Sequence, residues 1–210
     1  MVVAYATAMG YLEAAVVVYL RAALGEALAS TPVQVSLDIA PFVGIEVARE
    51  LATLVMIGAV GWLAGRSGWE RLAWSAIVFG TWDIVYYVGL YLASGWPPTL
   101  DTWDVLFLVP VAWVGPVWAP MAVSAALIAG GLLAARRLRA GNRIQPRPRE
   151  LAVALLGGLL VVLSFVLDAQ RVLAGDLAPW TGWPVLLSGI LLGALGTGSA
   201  IYRRAQGTTG

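Results

Sequence analysis

The chain has 210 residues, of which 60% are hydrophobic and 12% are charged, and its formal net charge is +1. A soluble globular domain carries roughly 25% charged residues, so the composition excludes an ordinary soluble fold, and the near-neutral charge argues against a nucleic-acid partner because phosphate binding needs a basic surface. Cysteine and histidine are absent, which excludes disulfides and any His- or Cys-ligated metal or haem, and no cofactor is predicted.

Apolar runs of about 20 residues, the length that spans a bilayer, recur along the whole chain. They predict an all-α integral membrane protein, a bundle of six transmembrane helices in a single membrane domain over residues 1–210. The predicted helices cover 3–24, 41–64, 72–94, 119–136, 150–172 and 184–202. The first residues lack the basic stretch of a cleavable signal peptide, so we expect the first helix to be retained.

Helices one and two carry ionisable residues inside the expected hydrocarbon layer, where a charge costs about 3 kcal/mol and marks a functional candidate. Helix one holds Glu13 near its midpoint and Arg21 toward its outer end. Helix two holds Glu46, Arg49 and Glu50. Spacings of three and four residues make these side chains neighbours on the helix surface.

Helix three places Asp83 near its midpoint, and Tyr87 follows one turn later. At about 1.5 Å per residue, Glu13, Arg49, Glu50 and Asp83 all lie within roughly one turn of the membrane midplane. The three helices together hold four intramembrane carboxyl groups and two guanidinium groups. A carboxylate in a low dielectric holds a proton or finds a cation, so this excess predicts one or the other.

The segment 101–120 is apolar but contains Pro110, Pro116 and Pro120. Each proline removes a backbone donor and disfavours helix before it. We therefore predict a proline-broken interfacial or re-entrant segment on the outer side before helix four. A kinked, tilted helix four is the alternative.

Two glycine patterns predict close helix packing, since small residues let helices approach in lipid. They are Gly61-x-x-x-Gly65 in helix two and Gly189-x-x-x-Gly193 in helix six. Packing within one chain is the simpler interpretation, and self-association is the alternative.

An internal repeat is also visible, because Gly10-x-x-Glu13 and Gly80-x-x-Asp83 lie 70 residues apart. Helices one and three run in the same direction in the six-helix bundle, as a duplicated helical hairpin requires. Sequences built from few apolar residue types also produce such matches by chance. Duplication and chance similarity are therefore the two interpretations.

Arginine placement predicts the topology. Ten of the 13 arginines fall in or beside the second and fourth connections and at the C-terminus. The other connections are acidic and hold Glu26, Asp38, Asp101, Asp104 and Asp176. Because positively charged loops stay in the cytoplasm, we predict a multi-pass protein of the bacterial cytoplasmic (inner) membrane with both termini cytoplasmic.

These patterns predict an intramembrane carboxylate and arginine cluster that opens to the outer side. It would bind a cation, a proton or a small solute, for transport or for membrane-embedded substrate binding. The expected partners are therefore the lipid bilayer and that cation or solute. The candidate site residues are Glu13, Arg21, Glu46, Arg49, Glu50, Asp83 and Tyr87.

Three alternatives stay open. The same charges could only join helices, with Arg49 bridging Glu46 and Glu50, Arg21 meeting Glu13, and a protonated Asp83 bonded to a tyrosine. The chain could also be an accessory or structural subunit of a larger, energy-transducing membrane complex, with other membrane subunits as partners. The last and less favoured alternative is an intramembrane lipid-modifying enzyme that uses carboxylates, with or without bound magnesium or manganese.

Overall fold

The computed structural model describes residues 1–24 and 43–203. In chain order its helices are α1 (Val2–Leu24), α2 (Val43–Ala64), α3 (Gly68–Ser94), α4 (Trp118–Arg139), α5 (Pro148–Val166), α6 (Ala169–Leu173) and α7 (Trp183–Tyr202). Two strands, β1 (Trp103–Phe107) and β2 (Trp113–Pro116), lie between α3 and α4. The acidic residues Glu26 and Asp38, predicted for an outer connection, lie outside the described residues.

Five helical segments of the described chain are long and apolar enough to cross a membrane: Val2–Ala22, Gly68–Ser94, Trp118–Arg139, Pro148–Leu173 and Trp183–Tyr202. Large leucines along α5 and α7 are exposed, among them Leu155, Leu159, Leu163, Leu187, Leu191 and Leu195. Such a surface suits acyl chains and not water, since soluble monomers rarely expose large contiguous apolar patches. The chain is a multi-pass membrane protein.

The α2 helix is not among these five segments. It has 22 residues, which gives a length of about 33 Å at 1.5 Å per residue, and its first half carries the charges of Glu46, Arg49 and Glu50. The prediction of a sixth span therefore stays a prediction.

The largest differences from the predicted helix boundaries are in α3 and α5, while α4 extends three residues further, to Arg139. The α3 helix begins at Gly68 and not at 72, because the Ser67 side chain caps it and accepts a hydrogen bond of 3.2 Å from the backbone N–H of Glu70. The segment predicted as one helix over 150–172 is instead divided into α5 and α6. The carboxylate of Asp168, between them, accepts a hydrogen bond of 2.8 Å from the backbone N–H of Thr181.

The proline-rich segment is a β-hairpin. The two strands are antiparallel, with Trp103 opposite Pro116 and Phe107 opposite Trp113. The kinked-helix alternative is wrong, because α4 begins only at Trp118. Valine, phenylalanine and tryptophan favour strands. Pro110 falls in the turn and Pro116 at the end of β2, where a missing N–H is tolerated, and Pro120 lies in the first turn of α4. The all-α prediction thus describes the spans but not this segment.

The α3 helix is central, with α1, α2 and α4 packed against it, while α7 packs against α4 and α5. Glycines allow the closest approaches. A Cβ atom added at Gly10 of α1 would lie 2.5 Å from the carbonyl oxygen of Trp82, and one added at Gly80 of α3 would lie 2.5 Å from that of Ser124. Lipid offers little hydrophobic drive for helix association, so such backbone contact stabilises the bundle.

The glycine patterns serve packing within the chain. A Cβ atom at Gly61 would overlap the hydroxyl group of Ser75, and one at Gly189 would lie 2.8 Å from the carbonyl oxygen of Gly157. Both glycines face a neighbouring helix of the same chain, as the simpler interpretation predicted.

The bundle has two chemically different ends. At the arginine end, Arg139 Nε donates to Glu70 Oε1 at 3.1 Å and Arg203 pairs with Glu150. At the hairpin end, β2 packs on α4, α5 and α6, and the fully buried Val114 clusters with Ala169 and Val172 of α6. This separation positions the site described next.

Candidate functional site

A cavity of about 180 Å³ lies at the hairpin end, between α1, α2, α3 and the hairpin, with α5 closing one side. We refer to it as the hairpin cavity. Polar residues of separate helices converge here because none can face lipid cheaply. All seven residues predicted for the site line it: Glu13, Arg21, Glu46, Arg49, Glu50, Asp83 and Tyr87.

Arg49 is the hub of the α1–α2 side. It forms ion pairs with Glu13 of α1 and, at 2.7 Å, with Glu46 of its own helix. Thr53 Oγ1, one turn beyond Arg49, donates a long hydrogen bond of 3.5 Å to Glu13 Oε2. Glu13 is only 5% exposed, so one guanidinium neutralises two carboxylates that would otherwise be costly to bury.

Arg21 does not pair with Glu13, and that part of the helix-joining interpretation is wrong. Its guanidinium carbon lies 4.3 Å from the ring centroid of Trp96, over the face of the indole. This is a cation–π contact. The guanidinium therefore lines the cavity beside the carboxylates without neutralising Glu13.

Glu50 ties α2 to the hairpin. Its two carboxylate oxygens accept hydrogen bonds of 3.0 and 2.9 Å from the backbone N–H of Leu108. The predicted bridge from Arg49 to Glu50 is therefore absent from the ion pairs of the described residues. Adjacent helical residues point about 100° apart, which directs Glu50 toward the hairpin while Arg49 points toward α1.

Asp83 faces α4. The Ser124 hydroxyl donates to Asp83 Oδ2 at 2.7 Å, and Asp83 is 7% exposed. The expected partnership with a tyrosine is wrong, since Tyr87 donates instead to Asp104 of β1 at 2.9 Å. Gly80, one turn before Asp83, brings α4 close enough for this bond.

Asp104 is a cavity residue that the sequence argument missed. The sequence places it in an acidic outer connection, yet it lines the cavity and accepts a hydrogen bond from Tyr87. Removal from water raises the pKa of its carboxyl group to about 6, although the hydrogen bond from Tyr87 opposes the rise. Its position inside the apolar run Trp103–Phe107 was the available signal.

Aromatic rings form much of the remaining wall. Phe79 stacks on Phe107 with ring centroids 6.3 Å apart, and Phe107 meets the Trp113 ring edge to face at 5.6 Å. The ring centroids of Trp82 and Phe79 are 5.5 Å apart. The indole N–H groups of Trp82 and Trp113 are buried and have no acceptor among the described residues.

The cavity carries more negative than positive groups. Within residues 1–24 and 43–203, no ion pair involves Glu50, Asp83 or Asp104. The stretch 25–42 contains no arginine or lysine. These three carboxyl groups rely on neutral donors, namely a backbone amide, a serine and a tyrosine.

The described part of the chain holds no group of three or more acidic side chains close enough to share a metal ion. The carboxylates instead come from different walls of the cavity. Comparison with protein-family models, curated proteins and solved structures finds no match for the chain.

Proposed function

We propose that the chain binds a small cationic solute or a proton in the hairpin cavity, as a transport protein or a membrane-embedded substrate-binding protein. The charge balance carries this proposal. Glu50, Asp83 and Asp104 line one cavity and form no ion pair within the described residues. A bare carboxylate in a low dielectric is expensive, so a bound cation or proton completes the balance.

The positive-inside rule supports the side on which the ligand enters. Arginines of the second and fourth connections gather at the arginine end, together with Arg203. We assign that end, with both termini, to the cytoplasmic face of a bacterial inner membrane. The hairpin cavity then opens toward the outer side, as a binding or uptake protein requires.

Asp83→Asn tests the proposal at a carboxyl group that is only 7% exposed. Asparagine keeps an oxygen that accepts from Ser124, so the fold should survive while the charge is lost. We expect added cations to raise the Tm of the wild type in detergent, and this rise to be lost in Asp83→Asn. The matched control is Asp101→Asn, an exposed acid at the same end, which should keep the full effect.

Arg49→Ala separates binding from folding in the same assay. It leaves Glu13 and Glu46 without their guanidinium, and breaking a buried pair costs about 3–5 kcal/mol. We expect a lower Tm without ligand, whereas Asp83→Asn should leave that Tm nearly unchanged. If the Tm of the wild type responds neither to any cation nor to pH, these charges have a structural role only.

The other two predicted functions have less support. Acidic side chains that share one ion would favour a metal-dependent lipid-modifying enzyme, and no group of three that could hold a metal ion occurs in the described residues. A role as a subunit of a larger complex predicts co-purification with other membrane subunits, which gentle solubilisation and mass spectrometry would detect.

A further inference from the structure

We infer that the ligand of the hairpin cavity is a small organic ammonium ion that also carries an oxygen acceptor. This inference rests on the proposed cation site and specifies its chemistry. It stands on three features of the cavity: the separation of its carboxylates, its aromatic walls, and two indole N–H groups that have no acceptor among the described residues.

The separation of the carboxylates disfavours a bare metal ion. Glu50 belongs to α2, Asp83 to α3 and Asp104 to β1, and each already accepts from a neutral donor. Calcium is held by about six to eight oxygens at about 2.3–2.6 Å, and the described residues form no group of three or more acidic side chains that could hold a metal ion. An organic ammonium ion has no fixed coordination shell, so acceptors on separate walls of the cavity are enough to bind it.

The aromatic walls favour a cation with an organic surface. Three of the four phenylalanines of the chain, Phe79, Phe107 and Phe165, line the cavity together with Trp82 and Trp113. Ring faces attract cations within about 6 Å of the centroid, more strongly when the cation is poorly hydrated. Sodium or potassium ions would lose much of their hydration energy against such walls, whereas alkylated ammonium groups are already apolar at their surface.

The indole groups call for an acceptor on the ligand. Trp82 is only 7% exposed, and its Nε1–H lies buried without an acceptor among the described residues. The Nε1–H of Trp113, on the hairpin side of the cavity, is likewise buried without an acceptor among the described residues. A hydroxyl, carbonyl or carboxylate oxygen would satisfy one of these donors, since buried polar groups are normally hydrogen-bonded.

The volume limits the size of the ligand. Pockets for drug-sized molecules measure about 300–1,000 Å³, and the hairpin cavity measures about 180 Å³. A compact amino alcohol or amino acid derivative fits this limit.

Isothermal titration calorimetry of the full chain in detergent tests the inference. The ammonium probes are ethanolammonium and choline, each with a hydroxyl group, and tetramethylammonium, which has none. Sodium, potassium and magnesium chlorides are the inorganic probes, and 3,3-dimethylbutanol is a neutral shape mimic of choline. We expect at least one hydroxylated ammonium ion to bind more tightly than tetramethylammonium, and the neutral mimic not to bind.

Two variants assign the binding to the named walls. Phe107→Leu removes an aromatic face but keeps an apolar wall, and cation–π energies of about 0.5–2 kcal/mol predict a loss of about two- to thirty-fold for every ammonium probe. Trp82→Phe keeps a ring but removes the N–H, so the preference for a hydroxylated probe should shrink. Trp62→Leu, an exposed aromatic at the arginine end, is the control and should leave binding unchanged.

The outcomes separate this inference from the proposed function. If an inorganic cation binds in an Asp83-dependent way and no ammonium probe does, the inference is overturned and the cation site stands. Equal binding of choline and its neutral mimic also overturns the inference. If neither the probes nor pH has any effect on the wild type, both the inference and the proposed function are contradicted.

Discussion

Asp104 connects the hairpin to α3, and the charge on its carboxyl group should make that connection depend on pH. Its pKa is raised to about 6 in the folded protein, from an ordinary value near 3.8, by removal from water. The folded state therefore binds more protons than the unfolded state between these two values. Its contribution to stability is fully present below the unfolded pKa and is lost as the pH rises through about 6.

Thermal unfolding across pH measures this effect. In the absence of ligand, we expect the Tm of the wild type to fall between about pH 4 and pH 7 more steeply than that of Asp104→Asn, because the amide does not titrate. Asp176→Asn is the control, since its side chain is 57% exposed. Identical pH profiles for wild type and Asp104→Asn would show that the carboxyl group of Asp104 is not perturbed.

Seven polar residues of the site could be predicted from the sequence, but Asp104 and the partners of the seven could not. Intramembrane charges are driven inward by the cost of facing lipid, which is why all seven candidates reached one cavity. Partners depend on which neighbour a side chain meets across helices, and spacing within one helix does not contain that information. The Glu13–Arg49 pair and the Asp83–Ser124 bond are both of this kind.

At the scale of elements, the hairpin is held over the cavity through the Leu108 backbone. Leu108→Pro removes the backbone N–H that donates to the Glu50 carboxylate. The extended backbone at a strand end tolerates proline. An unpartnered buried carboxylate costs more than the hydrogen bond itself, which is worth about 1.5–3 kcal/mol when one group is charged. We expect Leu108→Pro to lower the Tm and to expose the hairpin to proteolysis.

Leu108→Ala keeps the backbone donor and serves as the matched control. It should lose only the packing of one partly buried side chain. The double variant Glu50→Gln/Leu108→Pro should recover part of the lost stability, because no charge is then left unpartnered. Equal Tm values for Leu108→Pro and Leu108→Ala would contradict the role assigned to this bond.

The helices were predictable because a run of apolar residues fixes both their length and their location. The hairpin was not, since its prolines are equally compatible with a broken helix and with a turn between strands. The internal repeat remains a hypothesis, although Glu13 and Asp83 each meet a hydroxyl group of the following helix. Those hydroxyl groups, on Thr53 and Ser124, lie 71 positions apart, against 70 for the acids.

For the whole molecule, the separation of its two ends is the feature that function depends on. The ion pair of Arg139 with the buried Glu70 joins α3 to α4 at the arginine end, and the cavity lies at the hairpin end. A ligand of the proposed site would therefore meet the carboxyl groups of Glu50, Asp83 and Asp104 at the hairpin end. Which side of the membrane this end faces decides whether the protein binds solutes from outside.

Single-cysteine labelling can establish both this orientation and the number of spans, because the chain has no cysteine of its own. The sites are Val111→Cys in the hairpin turn, Asn142→Cys between α4 and α5, and Val3→Cys at the start of α1, all at exposed residues. In intact cells, we expect a membrane-impermeant maleimide to label Val111→Cys alone. The other two should react only after permeabilisation, since the positive-inside rule keeps the arginine end in the cytoplasm.

The Val3→Cys result decides whether α2 crosses the membrane. Four crossings separate Val3 from Asn142 if α2 spans the bilayer, which places both on the same side. Three crossings separate them if it does not, which places them on opposite sides. Labelling of Val3→Cys but not of Asn142→Cys in intact cells would contradict the six-helix prediction, and labelling of Asn142→Cys would reverse the orientation of the hairpin cavity. Permeabilised cells supply the control, because every site should react in them.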